Sequence, residues 1–120
     1  MIRRQPGQAP TISGAVAHGG LVYTAGLVAP SVLTGSPGPM EAQVAEVLDL
    51  LRSVLAESGT EAARVLRVEA YLTDPADLPV WDAGFAAVWP TDPPSRTTVC
   101  LTLAAPGARI EIQAVAALPA

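Results

Sequence analysis

The sequence predicts an α+β domain in which strands and helices follow the order ββαβαββ, with the helices gathered on one face of a mixed sheet. Three observations carry this expectation. One long segment places apolar residues at three- and four-residue steps, several shorter ones run β-prone or alternate, and Gly and Pro punctuate the boundaries.

Taken in order, residues 1–10 hold Pro6 and Pro10 and read as a loose lead-in to a single domain over 11–120. Thr11 to Ala17 and Leu21 to Val28 are β-prone runs separated by His18-Gly19-Gly20, the spacing of a hairpin, with His18 read as a turn residue. Ala29 to Pro39 contains three prolines and two glycines, which predicts a long irregular connection and a candidate rim for a site. From Glu41 to Glu57, Val44, Val47, Leu48, Leu51, Val54 and Leu55 recur at helical spacing, and Gly59 is placed to end the helix in a left-handed conformation. Val65 to Leu72 alternates Leu66, Val68, Ala70 and Leu72 against Arg67, Glu69 and Tyr71, the pattern of a strand with one buried face. Thr73-Asp74-Pro75-Ala76-Asp77 supplies capping residues for a second helix carrying Leu78, Trp81, Phe85 and Val88, which Pro90, Pro93 and Pro94 stop. Thr97 to Leu103 and Arg109 to Ala117 then read as two strands joined through Pro106-Gly107.

Composition narrows the function. With 120 residues the chain is one domain, and with half its residues apolar and only 15% charged it has more apolar surface than so small a domain can bury alone, which predicts a homo-oligomer. The net charge is −4 and the basic residues are seven scattered arginines, so there is no stripe for a phosphate backbone and nucleic acid is not an expected partner. Cys100 is the only cysteine, read as a core residue, and no Cys/His cluster has metal-ligand spacing, so neither a disulfide nor a metal is expected. No apolar run approaches the ~18 residues of a membrane span, and a cytoplasmic protein is expected.

Two residues stand out chemically. Arg96, in Pro93-Pro94-Ser95-Arg96-Thr97-Thr98-Val99, offers a planar fork that grips a carboxylate at two points. Glu111, in Ala108-Arg109-Ile110-Glu111-Ile112-Gln113, offers a carboxylate that can orient or deprotonate a water. Together they point to a site for a small organic acid. Trp81 and Trp89 read as core or interface residues, Thr98 as a minor contact near Arg96, and Tyr23 as either.

Four stretches, Gly19-Gly20-Leu21-Val22-Tyr23-Thr24-Ala25-Gly26, Ala70-Tyr71-Leu72-Thr73-Asp74, Pro94-Ser95-Arg96-Thr97-Thr98-Val99 and Ile110-Glu111-Ile112-Gln113-Ala114-Val115-Ala116, resemble the Rid/YjgF superfamily of reactive-intermediate deaminases. The resemblance spans nearly all of residues 11–117. It implies a chorismate-mutase-like fold, a six-stranded mixed sheet with two helices on one face, and a homotrimer whose bare sheet faces form a central barrel, with sites in the clefts between subunits. It also implies hydrolysis of 2-aminoacrylate-like enamines and imines to 2-oxo acids and ammonia, Arg96 holding the substrate carboxylate and Glu111 serving the attacking water. No cofactor is called for, since tautomerisation of the enamine already makes an electrophilic carbon. The chain departs from the family pattern at Val16, where a tyrosine is frequent, at Ala25-Gly26-Leu27, where Ser-Gly-Gln is frequent, at Thr98 in place of a cysteine and at Asp82 in place of an asparagine. These positions are the expected lining of the substrate pocket and make it more apolar. They motivate two other readings, a tailoring enzyme that steers cyclisation or condensation of a larger apolar imine or keto acid, and a non-catalytic trimer that binds a small ligand.

Overall fold

The computed structural model describes residues 1–120 and opens on a strand where the sequence suggests only a lead-in. β1 (Arg3–Pro6) runs antiparallel to β2 (Ser13–His18), with Arg3 opposite Ala17 and Gln5 opposite Ala15. Four residues are too few to show a period, and the edge position tolerates Pro6. Side chains hold the strand down as much as its ladder does. Gln5 Nε2 donates to the Val54 carbonyl at 3.0 Å and to Ser58 Oγ at 2.6 Å.

The hairpin from β2 to β3 (Leu21–Thr24) turns through Gly19 and Gly20 at φ 62° and 83°, the pair of positive angles that a two-residue turn matched to strand twist requires. The single strand expected over Leu21 to Val28 breaks at Ala25-Gly26 and resumes as β4 (Leu27–Val28). The stretch after it also differs from expectation, holding a four-residue helix, α1 (Pro30–Leu33), with proline tolerated in its first turn. Glu46 fastens that helix, accepting from the Ser31 N–H at 3.0 Å and the Ser31 hydroxyl at 2.9 Å.

α2 (Met40–Ser58) follows the apolar spacing closely and stops at Gly59, whose φ of 90° lets the Thr60 N–H reach back to the Leu55 carbonyl at 3.0 Å. β5 (Val65–Leu72) occupies the alternating segment. A turn of 3₁₀ helix capped by the Asp74 carboxylate leads into α3 (Leu78–Val88), and β6 (Ser95–Cys100) and β7 (Ile110–Ala117) complete the chain.

Six strands, the number the resemblance implies, lie in the order β1-β2-β3-β7-β5-β6, and β4 adds a short seventh segment beside β7. Only β5 and β6 run parallel, joined by α3 as the crossover. α2 and α3 cover one face, where Val22, Leu27, Val68, Ala70, Leu72, Trp81, Ile110, Ile112, Ala114 and Ala116 form the core with Val44, Val47, Leu51 and Leu55. At Gly84 there is no room for a Cβ, which would strike Val44 on the facing helix. One buried polar cluster ties the layers together. Gln43 Nε2 donates to the carbonyls of Gly38 (2.9 Å) and Gly107 (3.1 Å), its Oε1 accepts from the Arg109 N–H (2.9 Å), and Arg109 forks onto buried Asp77 at 3.1 and 2.7 Å.

The other face of the sheet has no layer over it. Tyr23, Val99 and Leu101 are 46%, 42% and 42% exposed. Part of the apolar excess of the composition lies on this face and along the free outer edge of β6.

Candidate functional site

Strand register decides which of the chemical residues can meet. Val68 of β5 pairs with Arg96 of β6 and with Ala114 of β7, and Ala70 pairs with Thr98 and Ile112. These rows belong to the helix-covered face. Tyr71, one residue on, pairs with Val99 and Glu111, and Glu69 pairs with Thr97 and Gln113. Because side chains alternate across a strand, those rows belong to the open face. Arg96 and Glu111 of one chain therefore lie on opposite sides of their own sheet. They do not meet within one chain.

On the helix side, Arg96 leaves edge strand β6 and lies beneath α3. Its guanidinium carbon stands 4.8 Å from the centre of the Phe85 ring and 5.8 Å from Trp81, a cation–π setting that fixes the plane of the fork. Nη2 donates to Asp82 Oδ1 at 2.7 Å. Trp81 is fully buried and its indole N–H donates to the Thr98 hydroxyl at 3.2 Å, leaving that hydroxyl free to donate in turn. A cavity of about 310 Å³ opens beside these groups, lined by Leu72, Pro75, Leu78, Arg96, Thr98 and Cys100. Cys100 is exposed on this wall rather than packed in the core, because β6 is the last strand of the sheet and nothing in the chain covers its far end.

On the open side, Glu111 stands between Tyr71 and Val28 and lies across Gly26. A Cβ at Gly26 would collide with Oε2 of Glu111, so glycine is required there for the carboxylate to sit where it does. Burial pushes the Glu111 carboxyl up from its ordinary value, with no cation beside it to compensate. The break between β3 and β4 makes this approach possible. Thr24 Oγ1 accepts from the Ala114 N–H at 3.0 Å where the ladder is interrupted, and the Ala25 N–H turns away to the Gly14 carbonyl at 2.9 Å.

Of the other expected lining residues, Val16 is half-buried on the open face beside Tyr23, and Ala25 and Gly26 form the floor next to Glu111. Leu27 is corrected: it points into the main core and is 1% exposed, because the strand resumes there in register with Ile112. The sequence reading did not single out the polar network beside Glu111. Glu69 accepts from Arg67 Nε (2.9 Å), the Tyr71 hydroxyl (2.9 Å) and Gln113 Nε2 (2.7 Å). Those donors hold the Glu69 carboxyl below its ordinary value, and the same bond raises the Tyr71 phenol. The alternation of Arg67, Glu69 and Tyr71 carried that signal, once β7 is known to lie alongside. No three of the His, Cys, Asp and Glu side chains converge into a metal-holding group. A surface hollow of about 660 Å³ between α2 and α3 is lined by none of Asp82, Arg96, Thr98, Cys100 and Glu111.

No helix is long and apolar enough to cross a membrane. The family model described as endoribonuclease L-PSP matches residues 3–118. The chain is 30% identical over 106 residues to protein mmf2, mitochondrial, of Schizosaccharomyces pombe, covering 86% of this chain and 84% of that protein. Its fold superposes on a YjgF-family protein from Neisseria meningitidis with a TM-score of 0.84 at 30% identity, covering 100% and 97% of the two chains. A Mycobacterium tuberculosis member of the YjgF/YER057c/UK114 family gives 0.87 at 25% identity, covering 98% and 100%. By its sequence over nearly its whole length, and by the fold that sequence adopts, the chain belongs to the endoribonuclease L-PSP family, also known as the YjgF family.

Proposed function

We propose that the protein hydrolyses small enamine or imine acids of the 2-aminoacrylate type to 2-oxo acids and ammonia, at sites formed between copies of the chain in a homotrimer. The observation that carries this reading is the division of the two chemical residues between the faces of one sheet. Arg96 sits on aromatic rings at an uncovered edge, and Glu111 sits on an uncovered face beside exposed apolar residues. A second copy laid against that face and edge brings one chain's arginine to the other's glutamate, and buries Tyr23, Val99 and Leu101 as it does so.

The chemistry then follows from the groups. Arg96 takes the substrate carboxylate in its fork. A proton from solvent adds to the enamine carbon and gives the iminium ion, water adds to its carbon as Glu111 accepts one of the water's protons and passes it to nitrogen, and the carbon–nitrogen bond breaks, ammonia leaving as the adduct's hydroxyl returns its proton to solvent and becomes the 2-oxo group. A carboxylate whose proton affinity is raised by burial is a better base for this step than an ordinary one. The tailoring reading loses Leu27 from its pocket lining but keeps Val16 and Ala25. RNA cleavage, which the family's name suggests, is placed behind deamination, because the net charge is −4 and Arg52, Arg67, Arg96 and Arg109 are each engaged by a carboxylate. The expected cytoplasmic location stays within this proposal.

Mixing tests it directly. Arg96→Ala and Glu111→Ala are each expected to lose 2-aminoacrylate hydrolysis while staying folded. Unfolded and refolded together, they should regain about a quarter of the sites, since a cleft built from the intact residue of each variant is whole. No recovery in a folded mixed trimer overturns the shared site, and full activity of Arg96→Ala overturns the deaminase.

A further inference from the structure

We propose that Asp82 makes the Arg96 cavity a reader of zwitterions, selecting ligands that carry a cationic nitrogen two bonds from their carboxylate over plain carboxylates. This rests on the reading of Arg96 as the carboxylate-binding residue. The Asp82 carboxylate engages only Nη2 of Arg96, through Oδ1 at 2.7 Å, and its side chain is 49% exposed. The remaining N–H groups of the fork are held in a fixed plane by Phe85 and stay available to a ligand.

A bare carboxylate arriving at this arginine meets a second carboxylate already there. The local charges of Arg96 and Asp82 cancel, so the attraction a free guanidinium would exert is lost and the like charge opposes entry. A ligand bearing both charges reverses the balance, its carboxylate on the fork and its ammonium or iminium on Asp82. Within one chain the rest of the wall adds no charge, and the Glu111 that the proposed trimer brings from a neighbouring copy is unchanged in every variant compared, so it acts on both probes alike before and after the Asp82 substitutions. Leu72, Pro75 and Leu78 are apolar, Thr98 supplies a hydroxyl and Cys100 a thiol. Buried Asp77 and half-exposed Arg109 are occupied by each other. The iminium form of a 2-imino acid has the required charges, whereas its 2-oxo acid product does not. The same residue that admits the substrate therefore favours release of the product.

The probes are 2-aminobutanoate and 2-oxobutanoate, which share a carbon skeleton and differ in ammonium against carbonyl. Affinities for both are measured by calorimetric titration on the full chain and on Asp82→Asn, Asp82→Glu and Arg96→Ala. The unaltered protein is expected to prefer 2-aminobutanoate. Asp82→Asn should shift the ratio of the two dissociation constants by about tenfold toward the oxo acid, the size of one charge contact, and Asp82→Glu should restore the preference. If Asp82→Asn weakens both ligands in parallel, or leaves the ratio where it was, Asp82 only props the arginine on Phe85 and the proposal is overturned. Binding of neither probe by the unaltered protein overturns it as well. Loss of both probes in Arg96→Ala upholds the carboxylate reading independently, and retention of both there removes that reading and this one together.

Discussion

On the helix-covered face the strands present Val68, Ala70, Leu72, Ile110, Ile112 and Ala114 to α2 and α3, whereas one residue along the same strands the open face presents Glu69, Tyr71, Glu111 and Gln113. The first face is built for stability. Its polar pair Arg96 and Asp82 sits at the edge strand where the layer ends. The second face has no layer of its own, and its one isolated carboxylate, Glu111, lies beside a network in which every neighbouring polar group is engaged. If the proposed reaction is right, the sheet holds its two halves at positions that never meet within the chain, and each face then has its own expected loss.

The largest expected effect is on the open side. Glu111→Gln keeps the shape over Gly26 and removes the base, and should lower kcat for 2-aminoacrylate by about 10²–10⁴-fold, the usual worth of a positioned general base. KM should move little, because the carboxylate of the substrate is held from the other face by Arg96. A rise in KM at unchanged kcat in steady-state assays would assign Glu111 to binding and erase the division of labour between the faces.

On the covered side the expected loss is of stability. Trp81→Ala empties a fully buried site, takes the partner from Thr98 and removes part of the platform under Arg96, and should cost about 3–5 kcal/mol in denaturant unfolding. Tyr23→Ala, on the open face and 46% exposed, should leave the unfolding of a dissociated chain within about 0.5 kcal/mol of the unaltered one. If sedimentation shows that it instead weakens association, the open face is the assembly surface.

How much of this was legible beforehand follows the same division. Apolar periodicity gave α2, α3 and β5 nearly to the residue, because those elements bury one face against the chain's own core and the pattern records that burial. β1 escaped, since Gln5 and Arg3 are held by α2 residues some fifty positions away, which no local window contains. Arg96 and Glu111 were visible as residue types, but their placement on opposite faces depends on the β5–β6 and β5–β7 registers. Leu27 and Cys100 were misplaced for that reason too, one turned inward by the break at Ala25-Gly26 and the other left bare by the end of the sheet.

A smaller effect tests the contact that sets Glu111 in place. Gly26→Ala should cost about 1–3 kcal/mol, because the new methyl group must displace the Glu111 carboxylate from a packed position. In a Glu111→Ala background the same substitution should cost less than about 0.5 kcal/mol, as the obstructing atoms are gone. A double-mutant cycle that comes out additive would mean the carboxylate yields freely and that Gly26 does not position it.

The smallest effect is in pH, and its sign separates the two carboxylates of the open face. Glu111 has its carboxyl raised by burial in the folded chain, so between the ordinary value near 4.5 and its folded value the native state holds more protons than the unfolded one. Its contribution is therefore fully present at low pH and is lost as pH rises through that window. Glu69, lowered by its donors Arg67, Gln113 and Tyr71, works the other way: its contribution is present above the ordinary value and is lost as pH falls through the depressed one. Chemical denaturation of Glu111→Gln across pH 2 to 8 should remove the decline on the alkaline side of 4.5 and leave acid sensitivity intact, while Glu69→Gln should soften the acid limb alone. The acid limb of the rate should follow Glu111, with activity rising only as its carboxyl ionises above the ordinary range. A rate profile that instead tracks the stability changes of Glu69→Gln would tie catalysis to the network rather than to the isolated carboxylate, and would move the base one row along the sheet.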